Sequence, residues 1–502
     1  MEPTGYQYTS DKRKRYYDYT LFFLVVALIL FGILMIGSIS SFNAAKYVND
    51  AKFYTKRQIR YAVIGIAGML AVSFIDYRLY AIETPRRKWP ILLILAYGLI
   101  VVMEFVVIAI GHTDSELSGA TNGAARWIAI GPFKLQPGEF AKLFMIVIAA
   151  YAICKLQTVK NRMFALAVIV GMLLVITVLA AKESMTTGIV LAAILAGMIF
   201  VGSKKKLIFA LAAAGAGVGA WLIVRYADRA GASADQFRWK RIYDWIHLKD
   251  ESNVGQVKQG LYALASGGLF GKGLGSSAQK LGHIPEVHTD MIFSCVVEEL
   301  GLVGGAAVIL LFALLIWRIA IVAINAPDLY GTMVCYGVMI HIGLQVCINI
   351  GVVTGTIPVT GVTLPFISYG GSSFLVLCAE CGLVLNVSRN IGYRKRVLMK
   401  EYETEEESSA SENVSKEQRK AFPGLPFRKI KDDRKKRKPD RKTRGGTSPK
   451  SEASRGKNSG NANKKAGERS RVKEEKPTMP QPGAYKMDIV LGQPSGKNRD
   501  GE

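Results

Sequence analysis

From Tyr19 to about Arg389 the sequence is a series of long apolar runs separated by short polar stretches, and that pattern narrows the folds open to it. The first run, Tyr19 to Ile39, carries no charge and is rich in Leu, Ile, Val and Phe. A bilayer core about 30 Å thick takes roughly 20 such residues at about 1.5 Å each. Further runs lie near 59–75, 89–110, 140–154, 163–181, 187–202, 206–224, 290–317, 329–350 and 373–388. A buried helix in a soluble core accounts for one such run but not for a succession of them. The expected fold is all-α, a polytopic membrane protein with about ten transmembrane helices.

Composition has to be read by segment, because the 50% hydrophobic average covers two unlike halves. From Arg389 to Glu502 there are 31 basic and 17 acidic residues, which supplies +14 of the total +25. The tail at 390–502 contains an acidic stretch from Glu401 to Glu407 and the basic run Arg434-Lys435-Lys436-Arg437-Lys438. Such a segment buries too little apolar surface to offset its ordering entropy, so disorder is expected. No aromatic residues interleave with the basic run and no binding fold is visible, which argues against nucleic acid. Attraction to anionic lipids, about 1 kcal/mol for each Lys or Arg near the surface, suits the run better.

Charge also orients the chain. Lys12-Arg13-Lys14-Arg15 precedes the first run, no cleavage site stands out after it, and the run reads as a retained helix. Under the positive-inside rule residues 1–18 are cytoplasmic, and ten spans return the tail to the same side. The expected inner loops carry Arg86-Arg87-Lys88, then Lys155, Lys160 and Arg162, then Lys204-Lys205-Lys206. One expected outer loop breaks the rule, with Lys46, Lys52, Lys56 and Arg57. The large outer loop before the eighth span runs from 225 to 289. All six cysteines lie in or beside expected spans, so no disulfide framework follows. Cys378-Ala-Glu-Cys381 lies within an apolar run, where packing is the better reading than metal or redox chemistry.

Ionisable residues in or at the mouth of membrane helices are costly to hold, which makes them candidates for function. Four segments stand out. The first joins Ala125-Arg126-Trp127-Ile128 to Gln136-Pro137-Gly138-Glu139 and Lys142. Pro137 suits the first turn of a helix, and Glu139 suits the positive end of its dipole. Glu139 and Lys142 share a helix face, either as a structural ion pair or as a charged pair facing a cavity. Arg126 could bind two oxygens of an anion such as pyrophosphate.

The second segment, Ser266-Gly267-Gly268-Leu269-Phe270-Gly271-Lys272-Gly273-Leu274-Gly275, permits tight turns or close backbone approach to a ligand. It matches no phosphate-loop pattern. The third is Pro285-Glu286-Val287-His288-Thr289-Asp290, with Glu298 and Glu299 about two turns further on, ahead of Gly301. Thr289 or Asp290 could cap the helix that follows. A carboxylate partly shielded from water could equally serve as a general base. The fourth, Thr356 to Ser373, holds Pro358, Gly361, Pro365, Ser368, Gly370 and Gly371, too many breaks for a straight helix. Non-helical backbone at membrane depth is tolerated where protein buries it or a cavity is lined. All four segments fall on the expected outer side. Residue chemistry alone therefore gives an outward cavity and an amphiphilic or anionic ligand, without separating a transferase from a transporter.

In order along residues 20 to 390, the motifs Ala125-Arg126-Trp127-Ile128, Gln136-Pro137-x-Glu139, Ser266 to Gly275, Pro285-Glu286-x-His288-Thr289-Asp290-x-Ile292-Phe293, Glu298-Glu299-Leu300-Gly301, and Pro358 to Gly371 carry a family resemblance. The sequence resembles the shape, elongation, division and sporulation family. The resemblance implies a peptidoglycan glycosyltransferase that polymerises lipid II at the outer face of the bacterial cytoplasmic membrane. It implies a class B penicillin-binding protein as transpeptidase partner, with divisome or elongasome proteins around it. The family's essential Asp falls on Asp290, and its Glu and Lys fall on Glu139 and Lys142. Arg126, Gln136, Glu286, His288, Thr289, Lys272 and Ser368 are then expected to line the substrate site. In the implied reaction Asp290 takes a proton from the acceptor sugar. Arg126, Lys142 or a divalent cation, magnesium or manganese, absorbs the charge of the leaving pyrophosphate.

Two positions depart from the family pattern. Its Gln-Pro-Ser-Glu motif reads Gln-Pro-Gly-Glu at 136–139. Its Gln-Pro-Asp-Leu-Gly-Thr segment reads Lys182-Glu183-Ser184-Met185-Thr186-Thr187, so Ser184 stands where the Asp would be. A lipid II flippase is the competing function. It needs a path open to both sides, whereas the polar motifs lie on one side. A non-catalytic scaffold is a third reading, against which Asp290 and Glu139 are retained.

Overall fold

The computed structural model describes residues 17–81, 90–111, 127–130, 133–156, 159, 161–203, 207–230, 237–248, 255–279 and 287–391. The helices in chain order are α1 (Tyr19–Ile39), α2 (Ser41–Val48), α3 (Phe53–Phe74), α4 (Ile91–Gly111), α5 (Pro137–Leu156), α6 (Arg162–Glu183), α7 (Met185–Gly202), α8 (Leu207–Ala230), α9 (Phe237–Ile246), α10 (Gln256–Gly267), α11 (Ile292–Ile324), α12 (Leu329–Val353) and α13 (Gly371–Ile391). Among the described residues seven helices are long and apolar enough to cross a membrane: α1, α4, α6, α7, α11, α12 and α13. One departure from an all-helical chain is a small antiparallel hairpin, β1 (Ile128–Ile130) with β2 (Phe133–Leu135). It leads directly into α5. The tail beyond residue 391 lies outside the described residues.

The helices begin where their caps lie. Asp18 accepts from the Leu21 N–H at 3.0 Å, Ser184 from Thr187 at 3.4 Å, and Asp328 from Gly331 at 2.7 Å. Each satisfies a donor that a helix start leaves unpaired. Ser184, where the family pattern has an Asp, caps the start of α7. α12 and α13 form the centre and are the most buried of the membrane helices. The outer helices keep large apolar side chains exposed, among them Phe23, Val63, Leu95, Phe164 and Trp317. In hydrocarbon such exposure carries no penalty.

Both ends of the described chain lie at one end of the bundle, where the Asp18 N–H reaches the Ser388 hydroxyl at 3.3 Å and Arg318 Nε pairs with Asp18 at 2.8 Å. Asp328 is held there too, by the Tyr77 hydroxyl at 2.5 Å and Arg78 Nε at 3.0 Å. The starts of α3, α5, α7, α11 and α13 meet at the opposite end.

α11 is discontinuous. Gly301 has φ 74° and ψ −177°, which breaks the helical hydrogen bonds around it. The glycine-rich stretch after α10 repairs the break. Lys272 and Gly273 donate their N–H groups to the Glu298 and Glu299 carbonyls at 3.0 and 2.9 Å. Leu302 and Val303 donate to Gly268 and Leu269 at 2.9 and 3.2 Å. The segment whose glycines suit close approach to a ligand therefore approaches another part of its own backbone. At membrane depth this satisfies groups that water cannot reach.

A Cβ at Gly301 would lie 2.2 Å from the Leu269 carbonyl oxygen, and one at Gly271 2.2 Å from that of Glu299. Gly301→Ala is expected to destabilise the protein by about 3 kcal/mol, combining left-handed backbone strain with overpacking. Thermal unfolding in detergent should show a midpoint several degrees lower. Gly68→Ala, where a Cβ meets nothing, should show no loss.

Candidate active site at one end of the bundle

Asp290 lies just outside α11, whose cap position is Met291. Helix capping therefore does not account for Asp290. The half-buried carboxylate accepts from Gln256 Nε2, at the start of α10, at 3.2 Å and from the Thr289 hydroxyl at 3.2 Å. The turn that carries it is fixed from two further sides. The Tyr369 N–H donates to the His288 carbonyl at 2.9 Å. Asn349 Nδ2, on α12, donates to the Asp290 carbonyl at 2.8 Å and to the Val362 carbonyl at 2.8 Å.

His288 is buried, and its ring lies 4.3 Å from that of Tyr54 on α3 and 5.5 Å from that of Tyr369. Burial lowers the His288 pKa to about 4. The unfolded chain, with an ordinary histidine near 6.5, binds this proton more readily than the folded protein. The associated stability is present above about pH 6.5 and falls away towards about pH 4. His288→Phe, which keeps the ring contacts, is expected to remove that part of the acid sensitivity in melting curves recorded across pH 4–7.

Burial pushes the Tyr369 phenol up to about 12, and Arg57 of α3 forms a hydrogen bond to it. Arg57 is one of the four cations that break the positive-inside pattern. Its contact with Tyr369 sets it beside the turn that carries Asp290.

Glu139 and Lys142 face one another as their spacing predicts. Lys142 Nζ donates to both carboxylate oxygens at 2.8 Å, and both residues are buried. Glu139 also takes a hydrogen bond from Ser373. Ser373 in turn lies 3.4 Å from the Thr363 hydroxyl. The non-helical segment 354–370 thus connects the Asp290 turn with the Glu139–Lys142 pair. Thr186 at the start of α7 donates to the Thr360 carbonyl of the same segment at 2.9 Å.

The other expected site residues separate into four groups. Thr289 contacts Asp290 directly. Ser368 and Gln136 shape backbone: the Ser368 hydroxyl accepts from the Leu364 N–H at 2.8 Å, and the Gln136 carbonyl accepts from the Glu139 N–H at 3.1 Å. Lys272 pairs with Glu298 at 2.8 Å, where Ser266, Ser277 and the Ala278 N–H also converge. This side chain closes the repaired break in α11, so its direct partner is structural. Arg126 and Glu286 lie outside the described residues.

Sequence reading passed over Gln256, Asn349 and the pair formed by His341 Nδ1 with Glu380 at 2.8 Å. The signal was present on α12, where His341, Gln345 and Asn349 recur every four residues. All three are buried. Cys378 and Cys381 are buried as expected, but the Glu380 between them belongs to this polar line.

The fold and the site define a polytopic membrane protein with a carboxylate-bearing polar site at one end of its bundle. The chain matches the family model described as "Cell cycle protein", that of FtsW, RodA and SpoVE, over residues 19–393, and it belongs to this family. It is 36% identical over 379 residues to "Probable peptidoglycan glycosyltransferase FtsW" of Trichlorobacter lovleyi, covering 75% of this chain and 94% of that protein. It is 36% identical over 388 residues to "Stage V sporulation protein E" of Bacillus subtilis, covering 75% and 98%. Among solved structures it resembles a chain from work on the "structural coordination of polymerization and crosslinking by a peptidoglycan synthase complex". The TM-score is 0.57 at 25% identity, over 75% of this chain and 98% of that one. It also resembles Thermus thermophilus rod shape determining protein RodA, with TM-score 0.50 at 26% identity over 74% and 97%.

Proposed function

We propose that this chain is a peptidoglycan glycosyltransferase of the bacterial cytoplasmic membrane, polymerising lipid II at the outer face with Asp290 as general base. The carrying observation is the placement of Asp290. Its carboxylate is half-buried and directed by Gln256 and Thr289, and its turn is held by Asn349 of α12 and Tyr369 of the segment 354–370. Family membership and the names of similar proteins point to the same chemistry.

In this reading Asp290 accepts the proton of the 4-hydroxyl of the acceptor sugar. That oxygen bonds to the anomeric carbon of the donor, and the donor's bond to undecaprenyl pyrophosphate breaks. Lys142 and Arg126, with Arg57 at the mouth, supply positive charge for the departing pyrophosphate. Among the described residues no group of three or more His, Cys, Asp or Glu is placed to hold a metal ion. The site end faces outward, which puts both termini and the basic tail in the cytoplasm near anionic lipids. The crosslinking partner is a class B penicillin-binding protein, within the divisome or elongasome.

Proteoliposomes containing fluorescent lipid II separate this activity from lipid translocation. The expected result is lysozyme-sensitive glycan, with the inner-leaflet label protected from an impermeant quencher. Complete quenching without glycan would instead establish a flippase.

A further inference from the structure

We propose that Asn349 is a positioning residue for the reaction, a side chain that sets Asp290 against the segment forming the opposite side of the site. The proposal rests on the reading of Asp290 as the base. Asn349 sits one turn before the end of α12 and is fully buried. Its amide has two N–H bonds to give, and both go to backbone carbonyls, one at Asp290 and one at Val362, each at 2.8 Å. These carbonyls belong to loops 72 positions apart in sequence. The Asp290 carboxylate is held from α10 by Gln256, so α10 directs the side chain while α12 fixes the backbone beneath it.

No other residue type of similar size gives two such bonds. Leu has the shape without the donors, and a buried Asp, protonated, gives one bond. A reacting group displaced by about 1 Å loses on the order of 100-fold in rate, while remote contacts still bind the substrate.

The test uses the full chain with its transpeptidase partner, supplied with lipid II. Asn349→Leu is expected to lower kcat by roughly 30- to 100-fold, with KM within about threefold of wild type. Asn349→Asp should recover part of the loss. Hydrogen exchange should rise in the turn 287–290 and stay unchanged along α12. Gln345→Leu, one turn earlier on the same buried line, should keep wild-type kcat.

Wild-type kcat in Asn349→Leu, or a loss confined to KM, overturns the proposal. So does unchanged exchange in the turn. If Asn349→Leu does not fold, Asn349→Asp is judged by the same criteria. Failure of both to fold also overturns it, because Asn349 would then support the bundle rather than the turn. Loosened exchange in a protein whose wild type makes no glycan would reject the polymerase reading and leave the positioning contact standing.

Discussion

Asp290→Ala is expected to reduce glycan polymerisation by about 10²- to 10⁴-fold, the range that a positioned general base supplies. The protein should still fold, because the carboxylate lies outside α11 and does not cap it. The bonds from Gln256 and Thr289 are formed at a half-exposed position where water replaces them. Asp290→Asn sharpens the result by keeping the shape and removing the basicity. Initial rates on purified protein give the activity, and melting midpoints within a few degrees of wild type confirm that folding is not the cause.

The second large effect concerns the Glu139–Lys142 pair. Lys142→Met leaves a buried carboxylate without its ammonium partner, and Glu139→Leu leaves the ammonium. Breaking a buried pair from one side costs about 3–5 kcal/mol, whereas replacing both partners by apolar residues is often neutral. Each single variant should therefore melt far below wild type or fail to accumulate, and the double variant should recover most of the stability. If the pair also serves the leaving pyrophosphate, the recovered double variant remains inactive. Melting and polymerisation assays on the same preparations separate the structural from the chemical contribution.

Much of the helical framework was legible from apolar length alone. Pro137 marked the start of α5, and the Glu139–Lys142 pairing followed from its i, i+3 spacing. Boundaries were poorer where charge interrupts hydrophobicity. α3 begins at Phe53 rather than near 59, because Lys56, Arg57 and Arg60 occupy its first two turns. Residues 225–289, read as one loop, contain α9 and α10 as well as the end of α8. Short amphipathic helices leave no apolar run of membrane length. The glycine-rich stretch was read as permitting tight turns and close backbone approach to a ligand, whereas in the fold it approaches the backbone around Gly301. The contacts that define the site were the least legible. Gln256 and Asp290 are 34 residues apart, and Asn349 and Asp290 are 59 apart, so only the folded bundle joins them. The charges that violate the positive-inside pattern were an exception of another kind. They looked like noise in topology, and Arg57 among them reaches the site through Tyr369.

On the proposed function, this bundle makes glycosidic bonds at its Asp290 end. The most direct test is the purified full chain, with its transpeptidase partner, given lipid II in detergent micelles, which have no second leaflet to which a lipid could be moved. A ladder of glycan polymer and release of undecaprenyl pyrophosphate are expected. Lipid II left unchanged by the folded wild-type complex would contradict the proposed function.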